Sequence, residues 1–185
     1  MKKLLILLIV FSVSCATAAE LKPRSETWAQ PVSSKAVDNF FQLDEKVYRS
    51  AQPDREGFLA LRDLGIRNVL NLRDYHSDDK KARGYGFSLY RVKMEAGDIE
   101  TRDVIRALRI IKESPGPIVI HCWHGSDRTG LISAMYRIVF HGWSKEDAIN
   151  ELMNGGYGYH SLYKNIPEFI RKANIDEIKQ KVFAP

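Results

Sequence analysis

The stretch IVIHCWHGSDRTG, Ile118 to Gly130, constrains this chain more than any other. Ile118–His121 is a short, continuous apolar run, the pattern of a strand buried on both faces. LISAMYRIVF, Leu131–Phe140, reads as a buried helix starting near Thr129, with Gly142 after it. Between them there is room only for a turn, with Gly125 in its middle. A buried strand that passes through a glycine turn into a buried helix belongs to an α/β domain. Such a turn aims several backbone N–H groups inward. The following helix adds its own unpaired N–H groups and the positive end of its dipole, so the loop is a ready oxyanion pocket.

The flanking pattern agrees. KVYRS (Lys46–Ser50), IRNVLNL (Ile66–Leu72) and FSLYRVKM (Phe87–Met94) read as strands. Pro53 opens a helical pattern through Phe58, Leu61 and Leu64 that Gly65 ends. Thr101 can cap a helix carrying Val104, Ile105, Leu108 and Ile111. Ser144 and Asp147 suggest a capping box, and two further helical patterns close the chain. RDYHSDDKKARGYG (Arg73–Gly86) reads as a charged loop. Strands alternate with helices in the middle and helices dominate the end. The expectation is an α/β domain over residues 46–185, a central, mostly parallel β-sheet flanked by helices, preceded by an irregular lead-in at 20–45. At 185 residues there is room for one domain with a sizeable core.

Residues 1–19 read as a signal peptide: Lys2 and Lys3, then the uncharged apolar run Leu4–Val13, then the small residues of SCATAAE. The run is too short for a membrane span, and a periplasmic location is expected. A lipid anchor at Cys15 is the less favoured reading, because Ser12 stands three residues before it in place of a bulky aliphatic residue. Removing Lys2 and Lys3 leaves 26 of the 28 basic residues against 23 acidic ones. That mild bias suits a phosphorylated partner but not nucleic acid, which calls for a clustered basic face. No heptad run suggests an oligomer, so a monomer is expected. Of the two cysteines, Cys15 would leave with the signal and Cys122 would stand alone. A lone thiol in an oxidising compartment has no disulfide partner, and no cluster of ligands accompanies it for a structural zinc site.

Cys122 lies on the floor of the expected pocket. A thiol beside a helix N-terminus and cationic neighbours is shifted towards the thiolate. Arg128 follows six positions later, and its planar fork can hold two phosphate oxygens. A nucleophile beneath an anion cradle implies phosphoryl transfer to sulfur, followed by hydrolysis of the cysteinyl-phosphate. No metal or cofactor is needed for that chemistry.

HCWHGSDRTG matches the H-C-x5-R-[ST] signature and resembles the protein tyrosine and dual-specificity phosphatases. VYRSAQPD and LGIRNVLNLR resemble the first strands of small bacterial members. AMYRIVFHGWSKEDAINELMNGGYG is similar to periplasmic tyrosine phosphatases of the biofilm-restraining type. The resemblance implies a dual-specificity phosphatase-like fold and a phosphorylated protein as substrate, in the periplasm or on a membrane sensor. It implies Cys122 as nucleophile, Arg128 as phosphate clamp, Thr129 beside the sulfur and His121 as support for loop and thiolate. The loop residues Trp123, His124, Gly125, Ser126, Asp127 and Arg128 would bind the phosphoryl group. It also implies an upstream aspartate as general acid. Asp98 in KMEAGDIET is the choice, with Glu95 and Asp127 as rivals, because the spacing from Asp98 to the signature is short for the family.

Other residues have functional and packing readings side by side. Arg49 and Arg73 stand at strand ends near the expected site, where structural pairing is favoured. Tyr157, Tyr159 and His160 follow a glycine pair and could flank the site, with packing favoured. Asp74, His76 and Asp78–Arg83 could form a recognition rim, with a solvated loop favoured. A lipid or small-molecule phosphatase, and an inactive phosphoprotein-binding module, are the competing functions.

Overall fold

Among the residues the computed structural model describes, 24–185, six strands form one sheet. They are β1 (Gln30–Pro31), β2 (Phe41–Gln42), β3 (Val47–Ser50), β4 (Asn68–Asn71), β5 (Ser88–Arg91) and β6 (Ile118–His121), in the order β1-β2-β3-β6-β4-β5. β3, β6, β4 and β5 run parallel, and β1 and β2 extend the sheet antiparallel. The mostly parallel sheet read from the sequence is therefore present. The expected signal peptide, Cys15 and residues 20–23 lie outside the described residues.

The chain moves outward from β3 through α1 (Arg55–Asp63) to β4 and through α2 (Asp79–Ala82) to β5. It returns through α3 (Thr101–Glu113) to β6 at the centre, then runs into α4 (Asp127–His141), α5 (Lys145–Asn154), α6 (Asn165–Lys172) and α7 (Ile175–Phe183). β6 lies between β3 and β4, with Ser50 and Asn71 both in register with His121. The carboxyl ends of three parallel strands thus open at one place, the customary ligand crevice of such sheets.

Strand alternation assigns the two faces. Val69 and Val119 meet Phe58, Leu61 and Ile66 on the α1 side, where each large side chain removed from water contributes about 1.5–3 kcal/mol. Leu70, Ile118 and Ile120 face the other way, into the core built with α3 to α7. Helix α4 is buried from Thr129 through Val139, which explains its lack of a polar stripe.

Four local readings need correction. Residues 20–45 are not merely irregular: β1 and β2 lie there, and Arg24 donates to the Gly155 carbonyl and the Tyr157 hydroxyl, both at 2.6 Å. A two-residue strand has no readable alternation, so pairing with β3 had to supply it. The charged loop carries α2, and its Asp78 is buried. Glu100, not Thr101, precedes the first turn of α3, without a side-chain cap bond. Helix α4 begins at Asp127, two residues earlier than expected. The Ser144 cap holds: its hydroxyl accepts from Asp147 N at 3.1 Å. No helix among the described residues is long and apolar enough to cross a membrane.

Candidate active site

The loop from Cys122 to Ser126 leaves the central strand and enters α4. Its carbonyls are held one after another, three by other segments and the last by the first turn of α4. Gln52 N donates to Trp123 O at 2.9 Å, Asn39 Nδ2 to His124 O at 2.8 Å, Arg49 Nη2 to Gly125 O at 2.7 Å and Gly130 N to Ser126 O at 2.9 Å. In a trans peptide the next N–H points opposite to the carbonyl. The N–H groups of His124, Gly125, Ser126 and Asp127 therefore turn to the inner side of the loop. None of the N–H groups from Trp123 to Arg128 donates to a protein acceptor among the described residues. This is an anion-binding nest continuous with a helix N-terminus.

Gly125 makes the turn possible. Its φ is +73°, and a Cβ there would lie 2.5 Å from the Ser50 carbonyl carbon and oxygen and 2.7 Å from Ala51 N. Those are backbone atoms and cannot step aside. Ser126 locks the exit of the loop, its hydroxyl donating to Tyr157 O at 2.7 Å, and Asn39 donates to the same carbonyl at 2.9 Å.

Cys122 is a free thiol with 2% of its surface exposed. Arg128 Nη1 donates to Met94 O at 3.2 Å and to Leu72 O at 3.5 Å. Its buried Nε has no partner among the described residues, which leaves part of the fork free for phosphate oxygens. The Thr129 hydroxyl is likewise buried without a partner. Arg49, 1% exposed, lies with its guanidinium carbon 3.6 Å from the centre of the Tyr157 ring. Burial lowers its pKa to about 10, against the opposing pull of Tyr157, Glu151 and Cys122. The structural pairing expected of Arg49 is thus a direct brace on the loop.

His121 is fully buried between two acceptors. Its Nε2 lies 2.8 Å from Asp78 Oδ2 and its Nδ1 lies 3.1 Å from the Cys122 carbonyl. Burial pushes the Asp78 carboxyl up, but His121, with Gln52 and Asn71, outweighs it and leaves it below the ordinary carboxylate value. An ionised carboxylate and a carbonyl can only accept, so both ring nitrogens face acceptors. Gln52 extends the chain: its Nε2 donates to Asp78 Oδ1 at 2.9 Å and its Oε1 accepts from Arg73 Nη1 at 2.9 Å.

Asp78, Gln52 and Asn39 hold the site together, yet the sequence reading did not place them there. A histidine ending a buried strand needs partners for two nitrogens, and that need is legible. Which of the acidic residues between Arg73 and Gly86 meets it is not.

The three candidates for the proton donor separate. Asp127 is 7% exposed, and its oxygens take the His160 backbone N–H at 3.0 Å and His160 Nδ1 at 2.8 Å, an orienting role. Glu95 and Asp98 are exposed on the loop between β5 and α3 and line a groove of about 710 Å³ that contains none of the residues 121–129. Their loop nevertheless touches the site, because Met94, beside Glu95, supplies the carbonyl that Arg128 holds.

Trp123 and His124 form the exposed rim. The Arg73 guanidinium lies 4.2 Å from the centre of the Trp123 ring, and the His160 ring lies 5.4 Å from that of His124, tilted by 54°. Tyr157 is buried as packing, and His160 flanks the site.

The tyrosine phosphatase family matches residues 36–182. A dual specificity protein phosphatase of Pseudomonas aeruginosa, TpbA, is 32% identical over 160 residues, covering 85% of this chain and 72% of that protein. An inositol diphosphatase of Saccharomyces cerevisiae is 27% identical over 153 residues, covering 77% and 53%. The crystal structure of P. aeruginosa TpbA superposes with a TM-score of 0.78 at 29% identity, covering 86% of this chain and 99% of that one. A Cys→Ser variant of TpbA, solved in complex with pTyr, gives the same TM-score at 28% identity over 88% and 100%. The nest, the buried thiol beneath it and the arginine fork at its exit agree with these likenesses: the chain belongs to the tyrosine phosphatase family and is a cysteine-based phosphatase with a dual-specificity phosphatase-like fold.

Proposed function

We propose that this chain is a periplasmic protein phosphatase that hydrolyses phosphotyrosine, and also phosphoserine or phosphothreonine, through a cysteinyl-phosphate. The observation that carries it is the run of outward-held carbonyls, which leaves the N–H groups from Trp123 to Arg128 without protein acceptors in the loop that Cys122 begins. In the first step the Cys122 sulfur attacks phosphorus in line, and the P–O bond to the leaving group breaks. The nest and Arg128 take the charge on the equatorial oxygens. A carboxyl on the 95–98 loop, Asp98 in our assignment with Glu95 as its rival, gives its proton to the leaving oxygen. In the second step water attacks phosphorus, the S–P bond breaks and the sulfur departs as thiolate, with the Thr129 hydroxyl as its hydrogen-bond donor. His121, anchored by Asp78, holds the carbonyl of Cys122 throughout.

The phosphoprotein reading draws on TpbA, whose name is that of a dual specificity protein phosphatase and whose solved complex contains pTyr. TpbA is described as a tyrosine phosphatase related to biofilm formation, and we extend the periplasmic reading to that setting. The periplasmic location rests on the N-terminal pattern and on the resemblance to periplasmic tyrosine phosphatases.

The inositol diphosphatases among the relatives support a second reading, a densely phosphorylated small molecule. The charges beside the loop weigh against it. Four bases (Arg91, Lys93, Arg102 and Arg106) meet five acids (Asp74, Glu95, Asp98, Glu100 and Asp103) in the larger groove. Two bases, Arg73 and Lys81, meet one acid, Asp38, in the groove on the other side. Neither flank has the surplus of cations that several phosphates on one ring require.

The test is turnover of p-nitrophenyl phosphate and of a phosphotyrosine peptide by residues 20–185, reduced and with chelator present. Turnover of both is expected. Binding of the phosphopeptide without turnover would turn the reading into a binding module.

A further inference from the structure

Arg73 is a cation that the phosphoryl site does not use. It directly follows Leu72, whose carbonyl helps hold Arg128, and it feels the Arg128 charge. Only 6% of Arg73 is exposed, and no carboxylate lies within ion-pair distance of it among the described residues. The nearest acid along its bonds, Asp78, is committed to His121 and Gln52. Gln52 takes Nη1, and the guanidinium lies along Trp123. Burial first, and the neighbouring charge of Arg128 second, lower its pKa. Asp78 pulls the other way but is shared with His121 and Gln52, so a cation placed here gains from a further anion beside it.

A groove of about 590 Å³ lies at that position, with Arg73, Lys81, Gln52, Asn39 and Trp123 among its lining. Lys81, at the end of α2, also has no acidic partner among the described residues. Trp123, which begins the cradle side of this groove, is 55% exposed and gives it an apolar wall. Against Asp38 the two bases leave one net positive charge, which fits a single carboxylate better than an array of phosphates.

We propose that Arg73 and Lys81 form a subsite for the carboxylate of an acidic residue close to the phosphotyrosine in a phosphopeptide, with Trp123 packing against the intervening chain. This rests on the phosphotyrosine reading above and adds a sequence preference to it. The substrate is then recognised by two anions at once, its phosphoryl group in the nest and its carboxylate on Arg73.

The experiment compares kcat/KM for phosphotyrosine peptides that differ only in Glu or Gln at one position flanking the tyrosine. Wild-type protein, Arg73→Gln and Lys81→Gln are measured alongside a diphosphorylated inositol. A wild-type preference for Glu of about fivefold or more at one position is expected, reduced towards unity in both variants and weakened by added salt. Lys81 lies nearer the surface than Arg73, so its variant keeps the test in force if Arg73→Gln does not fold. Equal turnover of the Glu and Gln peptides, or a preference that survives both substitutions, would overturn the subsite and leave the phosphatase reading intact. No turnover of any phosphotyrosine peptide, with the inositol compound consumed, would overturn both.

Discussion

Asp78 stands 2.8 Å from Nε2 of His121, so a residue from the middle of a charged loop anchors the imidazole that holds the Cys122 carbonyl. Removing one partner of a buried pair strands the other. Asp78→Ala is expected to cost about 3–5 kcal/mol of unfolding free energy. Because the folded carboxyl sits below its ordinary value near 3.8, its contribution is complete above that value and is lost as pH falls through the lower, folded one. A melting series from pH 7 down to pH 2 checks this. The wild type should lose stability along the acid limb faster than Asp78→Asn, and superimposable curves would dismiss the ion pair.

Cys122→Ser should leave no measurable cysteine-dependent turnover, a loss of at least about a thousandfold, while phosphopeptide binding persists because the nest is backbone. Arg128→Lys keeps the charge but not the fork. A fall in kcat of about a hundredfold is expected, since a point charge cannot hold two oxygens in one plane. Steady-state kinetics together with binding by calorimetry separate the two effects. Equal kinetics for Arg128→Lys and wild type would remove the clamp from the mechanism.

Asp98→Asn should lower kcat on an aryl phosphate by about a hundredfold and flatten the basic side of its pH profile, and Glu95→Gln should change it less than about threefold. Leaving groups of lower pKa need less protonation and should narrow the deficit of the Asp98 variant. The reverse ranking would assign the acid to Glu95, the residue beside the carbonyl that Arg128 holds.

Gly125→Ala should unfold at lower temperature, with a cost of about 1–3 kcal/mol, and lose most of its turnover. The added Cβ would meet the Ser50 carbonyl at 2.5 Å in a residue whose φ is +73°. Thermal melts and kcat measured on the same preparation check this. Wild-type values for both would mean that the loop tolerates a different path.

The cradle was legible because its parts are contiguous. Ile118–His121 had to be a buried strand, Gly125 a turn and Leu131–Phe140 a buried helix, so that Cys122 and Arg128 fell at fixed places on one loop. Periodicity also disclosed α1, α3 and the parallel strands. The two-residue strands of the lead-in were not legible, because β2 is defined by pairing with β3 and β1 by pairing with β2, and no alternation marks either. The acid could not be ranked by spacing alone either. Only the folded chain shows that both Asp127 oxygens are bound by His160.

The sequence by itself determined the class of fold and placed Cys122 and Arg128, the proposed nucleophile and clamp, since each depends on residues within one turn and its flanking elements. Tertiary structure alone decided what holds that turn in place. Asn39, Arg49, Gln52 and Asp78 come from separate segments and meet the loop only after β3 and β4 close on β6. Hydrogen bonds between residues far apart in the chain have no local periodicity, and the acidic residues of the Arg73–Gly86 segment look alike until burial selects Asp78 from among them.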